Sequence, residues 1–292
     1  MSPGGSPDRL GGRPDREVGL GAVAALQAEA SGDTADRVLP PGWRLVLRDA
    51  VPSTSTVLAE LAAAGEPEGL ALLARRQTGG RGREGRRWES PEGNLHLSIL
   101  MRPPGAARDA AQWSLTAGVA LAEVAAVTDP EPVALRLKWP NDLLRHGAKV
   151  GGILAESALA SDHAGAKLAW LVLGFGVNLA AAPRLPDRPT AALGHEAGPP
   201  EAFAARLLRC LDHWRGVRAR EGFDPVRAAW MALGPEIGTG VAVRAGADGL
   251  VITGRYAGLA EDGSLLLEAD DGSPRCIAAG EITAANAATE AG

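Results

Sequence analysis

Two short segments hold most of the residues able to do chemistry. From Gln77 to Trp88 the chain reads Q-T-G-G-R-G-R-E-G-R-R-W, so Gly79, Gly80, Gly82 and Gly85 interleave with Arg81, Arg83, Arg86 and Arg87. Glycine lets the backbone approach a ligand closely and expose its peptide N–H groups. Guanidinium groups add planar, permanently charged donors for phosphate or carboxylate oxygens. The segment reads as a loop built around an anion, either a phosphate-type ligand or nucleic acid, in preference to a plain solvated basic loop.

The second segment is L-K-W-P-N-D-L-L, Leu137 to Leu144, followed by A-K-V-G-G-I-L-A-E, Ala148 to Glu156. Lys138 and Lys149 can each donate to a phosphate or carboxylate. Pro140 and Asn141 mark a strand end, so a hairpin is expected to bring the two lysine neighbourhoods onto one sheet. Asn141 and Asp142 offer oxygens to Mg²⁺, which travels with nucleotide phosphates and takes one or two protein ligands; a simple Asx turn accounts for the same pair. Gly151 and Gly152 inside an apolar strand cost stability unless a ligand or backbone passes close by, and the same holds for G-F-G-V-N-L, Gly174 to Leu179. In V-P-S-T-S-T, Val51 to Thr56, hydroxyls stand at a strand-to-helix junction, where they can cap the helix or meet a polar ligand.

Several common chemistries are excluded. There is no G-x-x-x-x-G-K-[ST], no helix after the glycine loop as a dinucleotide fingerprint requires, and no G-x-S-x-G. His96, His146, His163, His195 and His213 have no metal or triad spacing, and Cys210 and Cys276 form no C-x-x-C. What remains is a site of Arg, Lys and backbone donors without an evident nucleophile. That suits phosphoryl or nucleotidyl transfer achieved by positioning and charge stabilisation.

These groups need elements to hold them. Trp43 to Leu47 alternates as a strand, and Ser53 or Thr54 caps a helix running to Gly65. Leu70 to Ala74, Asn94 to Met101, Leu135 to Lys138, Lys149 to Ala158 and Leu168 to Leu179 read as strands, and Asp109 to Val127 as an amphipathic helix. Helices follow at Ala202 to Arg220 and Pro225 to Leu233. After Gly238, short alternating stretches separated by Ala247-Asp248-Gly249, Glu261-Asp262-Gly263 and Asp270-Asp271-Gly272 read as a small antiparallel barrel. The order implies α+β organisation: a disordered extension over residues 1–40, a catalytic domain over 41–236 and a small domain over 237–292.

The 292 residues carry a net charge of −5 although the loop is basic, which favours a small anionic ligand over a polyanion track. Aromatic residues make up only 4%, too few for a single-strand stacking platform. No apolar run of about 18 residues and no signal peptide are evident, so a cytoplasmic protein with no membrane contact is expected.

Taken together, G-R-G-R-E-G-R-R-W, K-W-P-N-D-L, K-V-G-G-I-L-A-E and G-F-G-V-N-L occur in an order and spacing that closely resemble the biotin–protein ligases, from about Trp43 to the C-terminus. The resemblance implies a class II aminoacyl-tRNA-synthetase-like mixed sheet with a C-terminal SH3-like barrel. It also implies two steps: biotin and Mg²⁺-ATP give biotinyl-5′-adenylate and pyrophosphate, then a lysine of a biotin carboxyl carrier domain takes the biotinyl group. By the same resemblance Ser53, Thr54 and Ser55 contact biotin, Ser55 standing where asparagine is common, together with Gln77, Arg81, Gly82, Arg83, Trp88, Gly151 and Gly152. Lys149, Arg83 and Arg86 are its catalytic residues, Lys149 also reaching the biotin carboxylate. Arg81, Arg83, Arg86, Lys138, Asn141 and Asn178 bind nucleotide, and Asp142 holds Mg²⁺. The glycine–arginine loop is expected to close over the adenylate. Residues 1–40 are too short and too rich in Pro and Gly for the DNA-binding module some members carry, so no DNA partner is expected, and the chain is expected to be a monomer or weak homodimer. The rival readings are a lipoate–protein ligase and a non-catalytic ligand-sensing or nucleic-acid-binding module.

Overall fold

The computed structural model describes residues 39–106, 109–162, 165–246 and 249–284. The extension expected over 1–40 falls almost wholly outside them, as do His163 and the turn residues Ala247 and Asp248.

A seven-stranded mixed sheet carries the site. Its strands are β1 (Arg44–Val51), β2 (Leu70–Gln77), β3 (Leu95–Met101), β4 (Leu135–Lys138), β5 (Asp142–Arg145), β6 (Ala148–Asp162) and β7 (Gly165–Val177), in the spatial order β1-β2-β3-β7-β6-β5-β4. Only β1 and β2 run parallel; the other pairs are antiparallel. The parallel pair is joined by helix α1 (Thr54–Ala63), which lies on one face of the sheet. Helices α2 (Ala110–Thr128), α3 (Pro200–Glu221) and α4 (Asp224–Leu233) pack on one another as the other layer.

Alternation along the strands feeds both faces. In β2, Leu70 and Leu72 join the cluster under α1, containing Leu58 and Leu61, while Ala71 and Leu73 join the main core. In β3, Leu95, Leu97, Ile99 and Met101 face the main core and Leu100 faces α1, which places His96 and Ser98 on the α1 side as well. Each wholly buried leucine contributes roughly 2 kcal/mol of transfer free energy, so these two clusters outweigh any single polar contact described below.

All seven residues of β3 are buried, and elsewhere the structure corrects the reading of the sequence. α2 is not amphipathic, because it sits between the sheet and the two later helices with most of its length buried. It is also long and apolar enough to cross a membrane by length and composition, although it is no unbroken apolar run, and most of its apolar residues are spent in the core. Finally, Lys138 and Lys149 do lie on one sheet, but not through a single hairpin. The short strand β5 intervenes, pairing Lys138 with Asp142 on one side and Leu144 with Lys149 on the other.

A separate five-stranded antiparallel sheet follows, as expected for an SH3-like domain: β8 (Gly240–Ala245), β9 (Leu250–Leu259), β10 (Leu265–Ala269), β11 (Pro274–Ile277) and β12 (Gly280–Ala284), in the order β11-β10-β9-β8-β12. It is seated against the first domain. Trp139 Nε1 donates to the Gly263 carbonyl at 3.1 Å and Gln112 to the Glu261 carbonyl at 3.0 Å, both acceptors lying in the turn before β10.

Candidate active site

A cavity of about 350 Å³ opens where α1, the end of β2, the glycine–arginine loop and strands β5, β6 and β7 converge. Ser53 is the N-cap of α1, so the hydroxyls of Ser53, Thr54 and Ser55 are presented at the first turn of that helix, and all three residues are buried at the cavity wall. Gln77, the last residue of β2, is fixed against them: its Oε1 accepts from the Thr54 N–H at 2.8 Å and the Thr54 hydroxyl at 3.2 Å.

The glycine–arginine segment is an ordered hairpin. Trp88 N–H donates to the Gly80 carbonyl, Gly82 N–H to the Arg86 carbonyl, and Arg81 bridges Arg87. The turn is made by Glu84 and Gly85 at φ 57° and 74°. Gly80 is required sterically, since a Cβ there would lie 2.5 Å from the Trp88 carbonyl oxygen. Three arginines tie this hairpin to three different places. Arg81 reaches Glu156 of β6 at 2.6 Å, Arg83 reaches Asn141 at 3.4 Å and the Gly280 carbonyl at 3.3 Å, and Arg86 reaches Glu281 at 2.5 Å.

The floor is glycine by necessity. Gly152 and Gly176 are register partners on β6 and β7. A Cβ at Gly176 would fall 2.3 Å from the Trp88 ring, and one at Gly152 would fall 3.1 Å from Lys149 Nζ. The two flat positions let the indole and the ammonium lie over the sheet, with Lys149 Nζ 5.7 Å from the Trp88 ring centroid. Lys149 is paired with Asp142 Oδ1 at 2.6 Å. Asp142 is therefore more than a turn residue, and the carboxylate read as a metal ligand is engaged by the lysine read as catalytic. Among the described residues no cluster of three His, Cys, Asp or Glu side chains is arranged to hold a metal ion. Asn178 donates to the carbonyls of Lys149 and Ala191, stapling the following loop to β6.

Of the residues singled out from the sequence, Ser53, Thr54, Ser55, Gln77, Arg81, Gly82, Arg83, Arg86, Trp88, Asn141, Asp142, Lys149, Gly152 and Asn178 line one cavity. Gly151 does not: its missing side chain would meet the Gly176 carbonyl oxygen, Val177 and Leu121. Lys138 is one step back, 3.4 Å from Glu281.

Among the charged residues of the wall that escaped sequence reading, Glu281 and Arg188 stand together. Glu281 comes from β12 of the second domain and is surrounded by Arg86, Lys138 and Arg188, the last at 3.3 Å. Burial alone would raise the Glu281 carboxyl, but the hydrogen bond from Arg86 and the charges of Lys138, Arg86 and Arg188 together outweigh it and bring it down to about 2. The same hydrogen bond raises Arg86 against the opposing effect of its burial. No local signal marks either residue, because Glu281 lies about 195 positions from Arg86 and only the seating of the barrel joins them.

The cavity thus holds one half-buried lysine, a ring of arginines, an indole wall and a hydroxyl cluster, and no described histidine lines it. Such a set suits an anionic ligand with an apolar body and a second anion to be brought against it. Residues 47–178 match the Biotin/lipoate A/B protein ligase family and residues 237–283 the Biotin protein ligase C terminal domain. A biotin–[acetyl-CoA-carboxylase] ligase of Paracoccus denitrificans is 35% identical over 220 residues, 72% of this chain and 88% of that protein.

The chain belongs to the biotin–protein ligase family.

The bifunctional ligase/repressor BirA of Bacillus subtilis is 31% identical over 82% of this chain and 73% of its own length. A biotin protein ligase from Aquifex aeolicus solved in complex with biotin and ATP superposes with a TM-score of 0.64 at 27% identity, covering 82% of this chain and 97% of that one. This biotin–protein ligase is an ATP-dependent enzyme that uses biotin and ATP as substrates. The match of its second domain to the biotin enzymes' own C-terminal domain, together with the named relatives, sets aside the lipoate and non-catalytic readings.

Proposed function

We propose that the cavity performs both half-reactions with the residues named above. Biotin lies with its ring system against the hydroxyls of Ser53, Thr54 and Ser55 and its chain along the Gly152–Gly176 floor beside Trp88, its carboxylate ending at Lys149. A carboxylate oxygen attacks the α-phosphorus of ATP and pyrophosphate leaves. The ε-amine of the carrier lysine then attacks the acyl carbon and AMP leaves. The first step presses two anions together, and Lys149 with Arg83 and Arg86 offsets that repulsion and the charge growing on phosphorus. Mg²⁺ arriving with the nucleotide phosphates would supply Lewis-acid stabilisation, and Asn141 and Asp142 would be the residues to hold it, Asp142 through the oxygen not paired with Lys149.

The observation that carries this reading is the convergence of Lys149, Asp142, Trp88 and the arginine hairpin on one cavity. We assign residues 41–236 to adenylation and 237–292 to a domain that completes the nucleotide end through Glu281, in a cytoplasmic monomer or weak homodimer that acts on a biotin carboxyl carrier domain and does not bind DNA. Pyrophosphate release that needs both biotin and ATP, followed by transfer of labelled biotin to a carrier domain, tests the assignment; release with lipoate in place of biotin overturns it.

A further inference from the structure

Ser98 of β3 is wholly buried beneath the cavity and does not line it, yet its hydroxyl lies 2.7 Å from the Thr54 hydroxyl and 2.9 Å from that of Ser55. One arrangement of protons makes every one of these contacts a hydrogen bond, and it starts from one fixed donor. The Thr54 backbone N–H can only donate, so the atom it meets at 2.8 Å must be the Gln77 carbonyl oxygen, leaving the Gln77 amide nitrogen to donate to Ser90 at 3.2 Å. That same oxygen, having no hydrogen, receives the single proton of the Thr54 hydroxyl at 3.2 Å. Thr54 is then free only to accept, from Ser98. Ser98, its one proton spent, accepts from Ser55, and Ser55 in turn has no proton left to offer.

We infer that Ser98 is a specificity-determining positioning residue, which orients the Ser55 hydroxyl so that only its lone pairs face the cavity and the ligand must bring an N–H donor there. The inference rests on the functional reading above, under which that donor is a ring N–H of biotin's cyclic urea. Gly174 makes the arrangement possible. It is the register partner of Ser98, and a Cβ on it would lie 3.4 Å from the Ser98 oxygen and closer still to that of Ser55. A buried site built to accept from an N–H rejects an isostere that lacks one, because two lone pairs are then forced together without water.

The test compares binding of biotin with that of its cyclic carbamate isostere, in which one urea N–H is replaced by oxygen without added bulk. Titration calorimetry on the full chain gives the affinities, and pyrophosphate release gives kcat and KM. The wild-type chain is expected to prefer biotin to the carbamate carrying oxygen at the Ser55-facing position by about a hundredfold. In Ser98→Ala the Ser55 proton is released to rotate toward the ligand. Biotin affinity should fall about tenfold, with KM rising and kcat at saturation within about twofold, and the preference should shrink below about tenfold. Ser55→Ala, which removes the acceptor itself, should collapse the same preference and serves if Ser98→Ala does not fold. Equal losses for both ligands, or an unchanged preference in both variants, overturns the inference while leaving the functional reading standing. Failure of the wild-type chain to bind biotin overturns both.

Discussion

Glu281, on the last described strand of the second domain, accepts a 2.5 Å hydrogen bond from Arg86 of the glycine–arginine hairpin, so the barrel and the loop over the cavity share one ion pair. The carboxyl is held at about 2 in the folded protein, against an ordinary value of 4.5. A depressed carboxyl contributes stability that is fully present above the unfolded value and is lost as pH falls through the folded one. Glu281→Gln should therefore cost roughly 1–2 kcal/mol at pH 7, the lower part of the range for bonds to charged groups because Arg86 is partly exposed and solvent screens it. The gap between variant and wild type, read from urea midpoints, should close as pH is lowered from about 4.5 to about 2. A gap that stays constant across that window would show that the ion pair is not its source.

Lys149 and Asp142 give a second prediction. Lys149→Ala should lower biotin-dependent pyrophosphate exchange by about 100- to 1000-fold, the usual cost of deleting one preorganised charge at a reacting phosphate. It also strands a buried Asp142 carboxylate, so lost stability competes as an explanation. Lys149→Arg separates the two. A guanidinium keeps the ion pair and hence the melting temperature, but its planar fork cannot place one point charge where the ammonium sits, so exchange should remain depressed by at least about tenfold. Wild-type exchange in Lys149→Arg would remove Lys149 from the chemistry.

The sequence made the site legible because its residues come in short runs. Arg81, Arg83, Arg86 and Trp88 on one hairpin, or Lys149 and Gly152 on one strand, need no long-range information to be grouped. Ser98, Arg188 and Glu281 were not legible: each is an ordinary strand or loop residue until the sheet and the barrel assemble around it. The strand β5 was missed for a related reason. Four residues after Pro140 and Asn141 carry turn signals on both sides, and pairing with β4 and β6 overrides local propensity there. The amphipathic reading of α2 failed because small alanines say nothing about which face is covered, and here nearly every face is.

His96 supplies a pH dependence at a higher window. Burial lowers its pKa, opposed only in part by the Pro91 carbonyl, to which its Nε2 lies at 3.2 Å, and its Nδ1 is buried without a partner. The unfolded chain therefore takes up a proton near pH 6.5 that the folded chain refuses. This contribution is present above about pH 6.5 and is lost as pH falls toward the lower folded value. Thermal unfolding followed between pH 7.5 and pH 5.5 should show a decline that His96→Gln, which cannot protonate, flattens. An identical slope in the variant would assign the decline to other groups.

Gly176→Ala is the most direct test of the wall. A methyl group at this position would overlap the Trp88 indole at 2.3 Å from the nearest ring carbon and 2.7 Å from Nε1, and the ring is too wide to absorb the overlap by a small torsional shift. Trp88 must rotate off the floor, and the space beside Lys149 that it bounds must change with it. Because the ring is held only through the hairpin and not through the main core, the displacement should cost about 1–3 kcal/mol of stability, the range for overpacking, without unfolding the chain. Biotin binding should suffer far more than ATP binding, with KM for biotin rising at least about tenfold, since the lost wall is apolar and the arginines keep their own partners. Gly151→Ala is the comparison: the same change on the adjacent strand β6 meets the Gly176 carbonyl oxygen at 3.1 Å and Val177 and Leu121 on the core side, away from the indole, and should lower stability while raising the KM for biotin far less. Equal effects of the two variants on that KM would mean that Trp88 does not bound the ligand.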